Sequence, residues 1–326
     1  MSGVGAPLGL IGKLRAYAVA GADRVWVRTL PRIDQLYYTG GGLGDELMLT
    51  AVAAEARRLG RPINILTNRP DVWESNDDPE RVVTNIDRWF RVYFRKRIPT
   101  EITHLPYNNG THRHIGEQIG RNIGIELQSG WRPVYSPRRP LDAPEKFIVV
   151  QNSCRGAQCS AYTKEWPFER WNKLVAELIA WGHTVIQIGT DRDPAIAGTT
   201  DYRGKTDLAQ AAWLLERAKL FIGLESGLMH VAAAVGAPAV IVYGGRTRPW
   251  ETGYPWHWHA ANTSIPCAGC ALNAGCPHDV KCMKEIGVDE VLSLVQRALA
   301  GGCAPGFPPR QERATRVAEA QAGREV

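Results

Sequence analysis

The stretch from Leu220 to Gly245, LFIGLESGLMHVAAAVGAPAVIVYGG, constrains this chain more than any other part of it. An apolar run that reads as a strand ends at Leu224, a helix starts at about Ser226 and stops at a glycine, and APAVIVYGG reads as a second strand. The same alternation recurs elsewhere. DQLYYTG reads as a strand, DELMLTAVAAEARRLG as an amphipathic helix ended by Gly60, and PINILTN as the next strand. HIGEQIGRNIGIEL reads as a helix, followed by KFIVVQNS as a strand, EWPFERWNKLVAELIAWG as a helix, HTVIQIG as a strand, DLAQAAWLLERAKL as a helix and VDEVLSLVQRALAGG as a terminal helix. Strands alternating with helices predict an α/β fold with largely parallel sheets.

At roughly 150 residues per domain, 326 residues predict two domains. QSGWRPVYSPRRPLDAPEK, with four prolines and little periodicity, reads as the linker. The expected organisation is a basic extension over 1–32, a first α/β domain with the linker over 33–143, a second over 144–300, and a mobile tail over 301–326. With 44% hydrophobic and 22% charged residues the chain has an ordinary globular composition. No apolar run reaches the roughly 18 residues needed to span a bilayer, and the first 32 residues lack a signal-peptide core. A cytoplasmic protein is expected.

Two basic segments stand out against a formal charge of +6. The first 32 residues carry five Lys or Arg and one Asp, with Leu10, Leu14, Tyr17 and Ala18 at helical spacing. Such a segment suits an anionic membrane surface on the inner face, or a helix packed on the domain. RWFRVYFRKR, from Arg88 to Arg97, suits phosphates or forms a half-buried strand with a solvated basic face.

YYTGGGLGDE places Gly40, Gly41, Gly42 and Gly44 between a strand and a helix, where glycine permits sharp turns and close approach. Asp45 then either caps the helix or projects into a cleft at the carboxyl end of the sheet as a general base. Dinucleotide-binding spacing after Gly40 and Gly42 requires a glycine at position 45, and there is no G-x-x-x-x-G-K-[ST] loop. Nicotinamide, flavin and P-loop enzymes are disfavoured.

At the Leu224 corner, backbone N–H groups of Ser226, Gly227 and Leu228 are left free at a helix start, which makes an anion site. Glu225 is placed to accept from sugar or ribose hydroxyls, and His230 lies one turn in. The structural alternative is a plain corner with Glu225 as cap and His230 in the core. Lys164, ahead of a helix with Pro167 in its first turn, is a second phosphate candidate, helped by Gln151 to Ser153 at the preceding strand end.

GDELMLT, KEWPFERW, the run from Gly204 to Gly245 and CAGCALNAGCPHDVKCMKEI, in that order, resemble the heptosyltransferases of glycosyltransferase family 9 over roughly residues 33 to 300. The resemblance implies a GT-B architecture, two Rossmann-like domains facing a central cleft, with the acceptor on the first and the nucleotide sugar on the second. It implies a metal-independent inverting transfer, foremost of heptose from ADP-heptose, to a hydroxyl of a lipopolysaccharide-core or related glycan. By this resemblance Asp45 matches the catalytic aspartate and Lys164 the diphosphate-binding lysine. Glu225, Ser226, Gly227, Leu228, Met229 and His230 match the D-[ST]-G-x-x-H donor loop. Ser153 falls where small hydroxyl residues contact phosphate, and Gly41, Gly42 and Gly44 form the acceptor-side loop. The family usually has Asp in place of Glu225, so the carboxylate here is one methylene longer, and CRGAQCSAYT widens the gap between Ser153 and Lys164.

Cys267, Cys270, Cys276 and Cys282 are spaced C-x2-C-x5-C-x5-C, a candidate ligand set for a structural metal although no cofactor is required for the chemistry. Similar cysteines occur in family members that are not metalloproteins, while a branch modifying autotransporters is associated with iron. All seven cysteines are expected as thiols in a reducing compartment. The expected partners are a nucleotide-sugar donor, a glycan or glycolipid acceptor and an anionic membrane surface. Rival readings are a same-fold transferase with another nucleotide sugar or a protein acceptor, and a non-catalytic binding module. Nucleic acid is not expected, since no helix-turn-helix or RNA-recognition signature is present.

Overall fold

Two fully parallel sheets organise the chain in the computed structural model, which describes residues 35–84, 101–109, 111, 113–155 and 161–307. The basic N-terminal segment, the RWFRVYFRKR cluster and the tail beyond residue 307 lie outside the described residues. The first sheet comprises β1 (Gln35–Tyr38), β2 (Asn64–Thr67), β3 (Arg81–Thr84) and β4 (Glu101–His104), in the order β3-β2-β1-β4. The second comprises β5 (Ile148–Val150), β6 (Val185–Gln187), β7 (Thr200–Asp201), β8 (Leu220–Leu224), β9 (Ala239–Tyr243) and β10 (Trp258–Ala261), in the order β10-β9-β8-β5-β6-β7. In each sheet the chain winds outward from its first strand and then jumps back to that strand's other side. The reversal between β1 and β4, and again between β5 and β8, opens a crevice at the carboxyl ends of the strands.

The helices follow from local chemistry. Helix α1 (Leu43–Arg58) starts from Gly42, and Gly60, in left-handed conformation at φ +69°, stops the chain just beyond it. A short turn α2 (Pro70–Trp73) follows β2, and α3 (Ile115–Arg121) follows β4. Helix α3 is shorter than the predicted run to Leu127. The Ile123 and Ile125 amides close back on the Gly120 carbonyl and Gly124 turns left-handed, which sends Ile125 into the core.

In the second half α4 (Phe168–Ala180) buries Trp171, Leu174, Val175 and Leu178 on one face. Helix α5 (Leu208–Arg217) carries a complete capping box between Asp207 and Gln210. Helix α6 (Gly227–Val235) ends on left-handed Gly236. The short turns α7 (Pro249–Thr252) and α8 (Lys281–Lys284) precede α9 (Val288–Leu299). Among the described residues no helix is long and apolar enough to cross a membrane.

One of the two apolar cores is shared by both sheets. Leu47, Val52 and Ile119 from the first half and Met229, Val231 and Ile241 from the second belong to a single buried apolar cluster. Residues 128–146 contain no helix or strand, yet they are pinned to α1, because the Val134 amide donates to the Thr50 hydroxyl at 2.7 Å. An aromatic seam closes the junction. The His114 ring, whose Nδ1 caps α3, sits 4.8 Å from Trp131 and 5.7 Å from Tyr254, and Tyr254 stacks on Trp256.

Burial holds the imidazoles of this seam neutral. The His114 pKa is lowered to about 4 and that of His257 to about 3, in both cases chiefly because no water solvates the charged ring. An unfolded chain titrates these rings near 6.5, so below that pH it takes up protons that the folded state refuses. Their contribution to stability is full above pH 6.5 and is lost as pH falls toward 4, by up to about 1.4 kcal/mol per pH unit for each ring. The melting temperature is therefore expected to fall steadily between pH 6.5 and 4.5, with a smaller slope in His257→Phe. Calorimetry across this range checks it, and an equal slope in both proteins refutes the assignment.

Candidate functional site

The first half of the site is built where β1 hands over to α1. Gly41 is left-handed at φ +80°, and Gly42 is the N-cap. A side chain on Gly42 would place a Cβ 3.0 Å from the Asp45 carboxylate, and one on Gly40 would place it 3.3 Å away. These glycines leave room for the acid. Asp45, in the first helical turn, accepts the Gly42 amide and so does cap the helix. It also accepts a 2.9 Å hydrogen bond from the Tyr107 hydroxyl. Tyr107 lies three residues past β4, so the pair spans the crevice between β1 and β4.

Burial raises the Asp45 pKa above the ordinary carboxylate value. The bonds from Tyr107 and Gly42 and the Lys164 charge act the other way, and Glu225 adds to the rise. A carboxylate in this state is a stronger base than a solvated one. The neighbouring Glu46 points into the domain, where it is 1% exposed and accepts from the Trp73 indole at 2.8 Å and the Thr39 hydroxyl at 3.4 Å. It thus ties α2 and the end of β1 to the first turn of α1.

The other half of the site lies at the second crevice. Ser226 is the N-cap of α6, but its hydroxyl donates to Gln151 Oε1 at 2.6 Å and makes no cap bond. That bond runs across the reversal from β8 to β5, and Gln151 Nε2 in turn donates to the Ser153 carbonyl. With the serine turned aside, the amides of Gly227 and Leu228 stand at the sheet edge as first-turn donors. Glu225 is not the cap. It pairs with Lys164, which ends a 3-10 turn over Tyr162–Lys164, and both side chains are largely buried. The charges of Lys164 and Glu225 both act on Asp45.

Other predicted residues occupy definite places. His230 is buried, its Nδ1 lies 2.7 Å from the Tyr254 hydroxyl, and burial holds its pKa well below 6.5, so the ring is neutral. Met229 turns its sulfur into the core, where the Tyr243 hydroxyl donates to it at 3.1 Å. Leu228 is half-buried. Ser153 is fully buried and its hydroxyl lies 3.3 Å from Glu165 Oε1, so it is engaged inside the domain.

The two halves meet through glycines. A Cβ on Gly44 would fall 2.7 Å from His230 Cδ2, and one on Gly227 would fall 2.7 Å from Leu43 Cδ2. The first turn of α1 therefore packs directly on the first turn of α6. Asp45 from the first sheet faces Lys164, Glu225 and the amides of α6 from the second.

The cysteine segment folds against the second half of the site. The amides of Gly269 and Cys270 donate to the Gly245 carbonyl, and the Thr163 hydroxyl, next to Lys164, donates to the Leu272 carbonyl. Cys267, Cys270, Cys276 and Cys282 are free thiols, and burial raises the pKa of Cys282. Among the described residues no group of three or more His, Cys, Asp or Glu side chains is arranged to hold a metal ion, so the four cysteines do not form a ligand set in this conformation.

The glycosyltransferase family 9 (heptosyltransferase) model matches residues 135–280. Residues 135–280 belong to glycosyltransferase family 9. The chain is 30% identical over 166 residues to the autotransporter heptosyltransferase TibC of Escherichia coli O78:H11, covering 46% of this chain and 39% of TibC. It is 33% identical over 104 residues to lipopolysaccharide heptosyltransferase 2 of Salmonella typhimurium, covering 28% of this chain and 30% of that enzyme. The chain thus spans well under half the length of these relatives. In structure it resembles dodecameric, iron-containing TibC in complex with ADP-D-beta-D-heptose, with a TM-score of 0.66 at 18% identity, over 83% of this chain and 78% of TibC. The fold is GT-B, two parallel α/β halves facing a cleft.

Tyr107 stabilises the ionised form of Asp45, so its removal raises the carboxyl pKa further. Carbon-detected NMR titration of the Asp45 carboxyl is expected to give a midpoint above 3.8 in the native protein and a higher one in Tyr107→Phe. A lower or unchanged midpoint in the variant removes Tyr107 from the site.

Proposed function

We propose that this family 9 protein is a metal-independent inverting glycosyltransferase. It moves a sugar, foremost heptose, from a nucleotide sugar, foremost ADP-heptose, to a hydroxyl of a lipopolysaccharide-core or related surface glycan. The observation that carries this is the placement of Asp45 across the cleft from Lys164 and the α6 amides. In the proposed division of labour residues 33–143 receive the acceptor and residues 144–300 hold the donor.

In the reaction Asp45 takes the proton of the acceptor hydroxyl as its oxygen attacks the anomeric carbon. The bond to the diphosphate breaks on the opposite face, inverting the centre, and the electron pair leaves with the diphosphate. Lys164 and the amides of Gly227 and Leu228 stabilise the charge that grows there. Neutral His230, fixed by Tyr254, closes the wall between the two halves. Closure over the substrates excludes water and limits hydrolysis of the donor. The charge of the N-terminal segment supports a cytoplasmic protein working against the anionic inner face of the membrane.

A protein acceptor is the second reading, supported by the likeness to the autotransporter heptosyltransferase TibC. TibC contains iron, whereas among the described residues here no group of three or more His, Cys, Asp or Glu side chains is arranged to hold a metal ion.

Asp45→Asn is expected to lower turnover by at least about 100-fold, in the range of general-base contributions, while donor binding measured by thermal shift persists. Native turnover is expected to be unchanged in EDTA. Full activity in Asp45→Asn, or reversible loss of activity in EDTA, overturns the mechanism. A thermal shift with a uridine or guanosine sugar and none with ADP-heptose overturns the donor assignment.

A further inference from the structure

The Lys164–Glu225 ion pair occupies the place where the proposed reaction puts a diphosphate. Glu225 is 6% exposed, and among the described residues Lys164 is the one cation paired with it. The nearest other charge named at the site, Asp45, is also negative. An arriving diphosphate competes for the same ammonium group. If it takes the lysine and nothing replaces it, Glu225 is left as an unpaired buried carboxylate, one of the more unfavourable arrangements a protein interior offers.

We propose that Glu225 is a selectivity and release element: it yields Lys164 to a diphosphate only when hydroxyls of the donor sugar take the lysine's place as its partner. The inference rests on the reading of Lys164 as the diphosphate ligand. A complete nucleotide sugar brings the hydroxyls, which donate charge-assisted hydrogen bonds to the freed carboxylate. A bare nucleoside diphosphate carries ribose hydroxyls but none of the transferred sugar beyond the β-phosphate, so at the sugar end it must either share Lys164 with Glu225 or leave the carboxylate orphaned. A site built to bond hydroxyls discriminates strongly against a ligand that lacks them, because its own polar group is then unsatisfied.

The same balance drives product release. Once the sugar has moved to the acceptor, Glu225 has lost its partners and recaptures Lys164, which pushes the nucleoside diphosphate out. The length of the side chain matters here. Glutamate reaches the lysine directly, whereas an aspartate at this position would end one methylene short.

Calorimetric titration of the full chain with ADP and with ADP-heptose tests this, alongside inhibition of turnover by ADP. The native protein is expected to bind ADP-heptose at least about tenfold more tightly than ADP, the scale set by one unsatisfied buried group. Glu225→Gln, which removes the competing charge, is expected to bind ADP about tenfold more tightly than the native protein. Its ADP inhibition constant should fall by a similar factor, closing the gap between the two ligands. Unchanged or weaker ADP binding in folded Glu225→Gln overturns the proposal. If that variant does not fold, Glu225→Asp, which keeps the charge but shortens the reach, is expected to shift ADP affinity in the same direction by less, and no shift overturns it. Lys164→Ala separates the two levels. Undiminished ADP binding there removes the diphosphate reading itself, whereas lost binding there with an inert Glu225→Gln removes the release element alone.

Discussion

Everything chemical in this molecule depends on the contact between the first turns of α1 and α6. Two helix starts rarely pack end against end, because each brings the positive pole of its dipole. Here the approach is possible because each turn offers a position without a side chain, Gly44 under His230 and Gly227 under Leu43. The repulsion between the poles is offset by what the cleft holds. Asp45 caps one pole, Glu225 lies at the other, and a ligand diphosphate adds negative charge to both. An anionic site is thus a consequence of how the halves fit, before any particular substrate is considered.

The topology explains why these residues come from such distant parts of the chain. A parallel sheet places functional side chains at the carboxyl ends of its strands, and the reversal of winding leaves a gap between two neighbouring strand ends. Asp45 and Tyr107 line one gap, and Gln151 and Ser226 line the other. The shared apolar cluster and the aromatic seam then fix the two gaps face to face. Trp131 and Tyr135 in the linker belong to this packing, so the segment that joins the halves also holds them together.

The long, strongly patterned elements were legible in the sequence: β1, α1, β2 and, in the second half, β5, α4, β6, α5, β8, α6, β9 and α9, whereas β7, β10 and the short turns α7 and α8 were not. The corners that hold the candidate residues were legible as well: the glycine turn with Asp45 and the Glu225 to His230 corner each follow a strand whose apolar run marks it, and Lys164 stands just ahead of the helix start at Pro167. Tyr107 was not, since β4 is a four-residue strand, EITH, with exposed ends and no apolar pattern to announce a sheet edge. Glu46 looked like one more acid in a helix start, because its partners Trp73 and Thr39 are tertiary neighbours that no local pattern reveals. The role of Ser226 was half visible. Spacing indicated a helix start, but only the bond to Gln151, 75 positions away, turns its hydroxyl off the helix and leaves the amides for a ligand. Spacing also drew the four cysteines together as a ligand set, whereas among the described residues no group of three or more His, Cys, Asp or Glu side chains is arranged to hold a metal ion.

In the proposed reaction the charges in the cleft couple donor binding to the strength of the base. With the cleft free of ligand, Lys164 lowers the pKa of Asp45 and Glu225 raises it, so their opposed effects on the base partly cancel. A diphosphate placed on Lys164 neutralises the one positive charge of this trio while Glu225 remains negative. The lowering influence on Asp45 is then lost and the raising one persists, so the carboxylate becomes more basic when the leaving group is in place. Closure removes further water from around it and acts in the same direction. A base that strengthens only after the donor has bound activates the acceptor hydroxyl when an anomeric carbon is there to receive it, so under the proposed mechanism donor binding precedes proton removal.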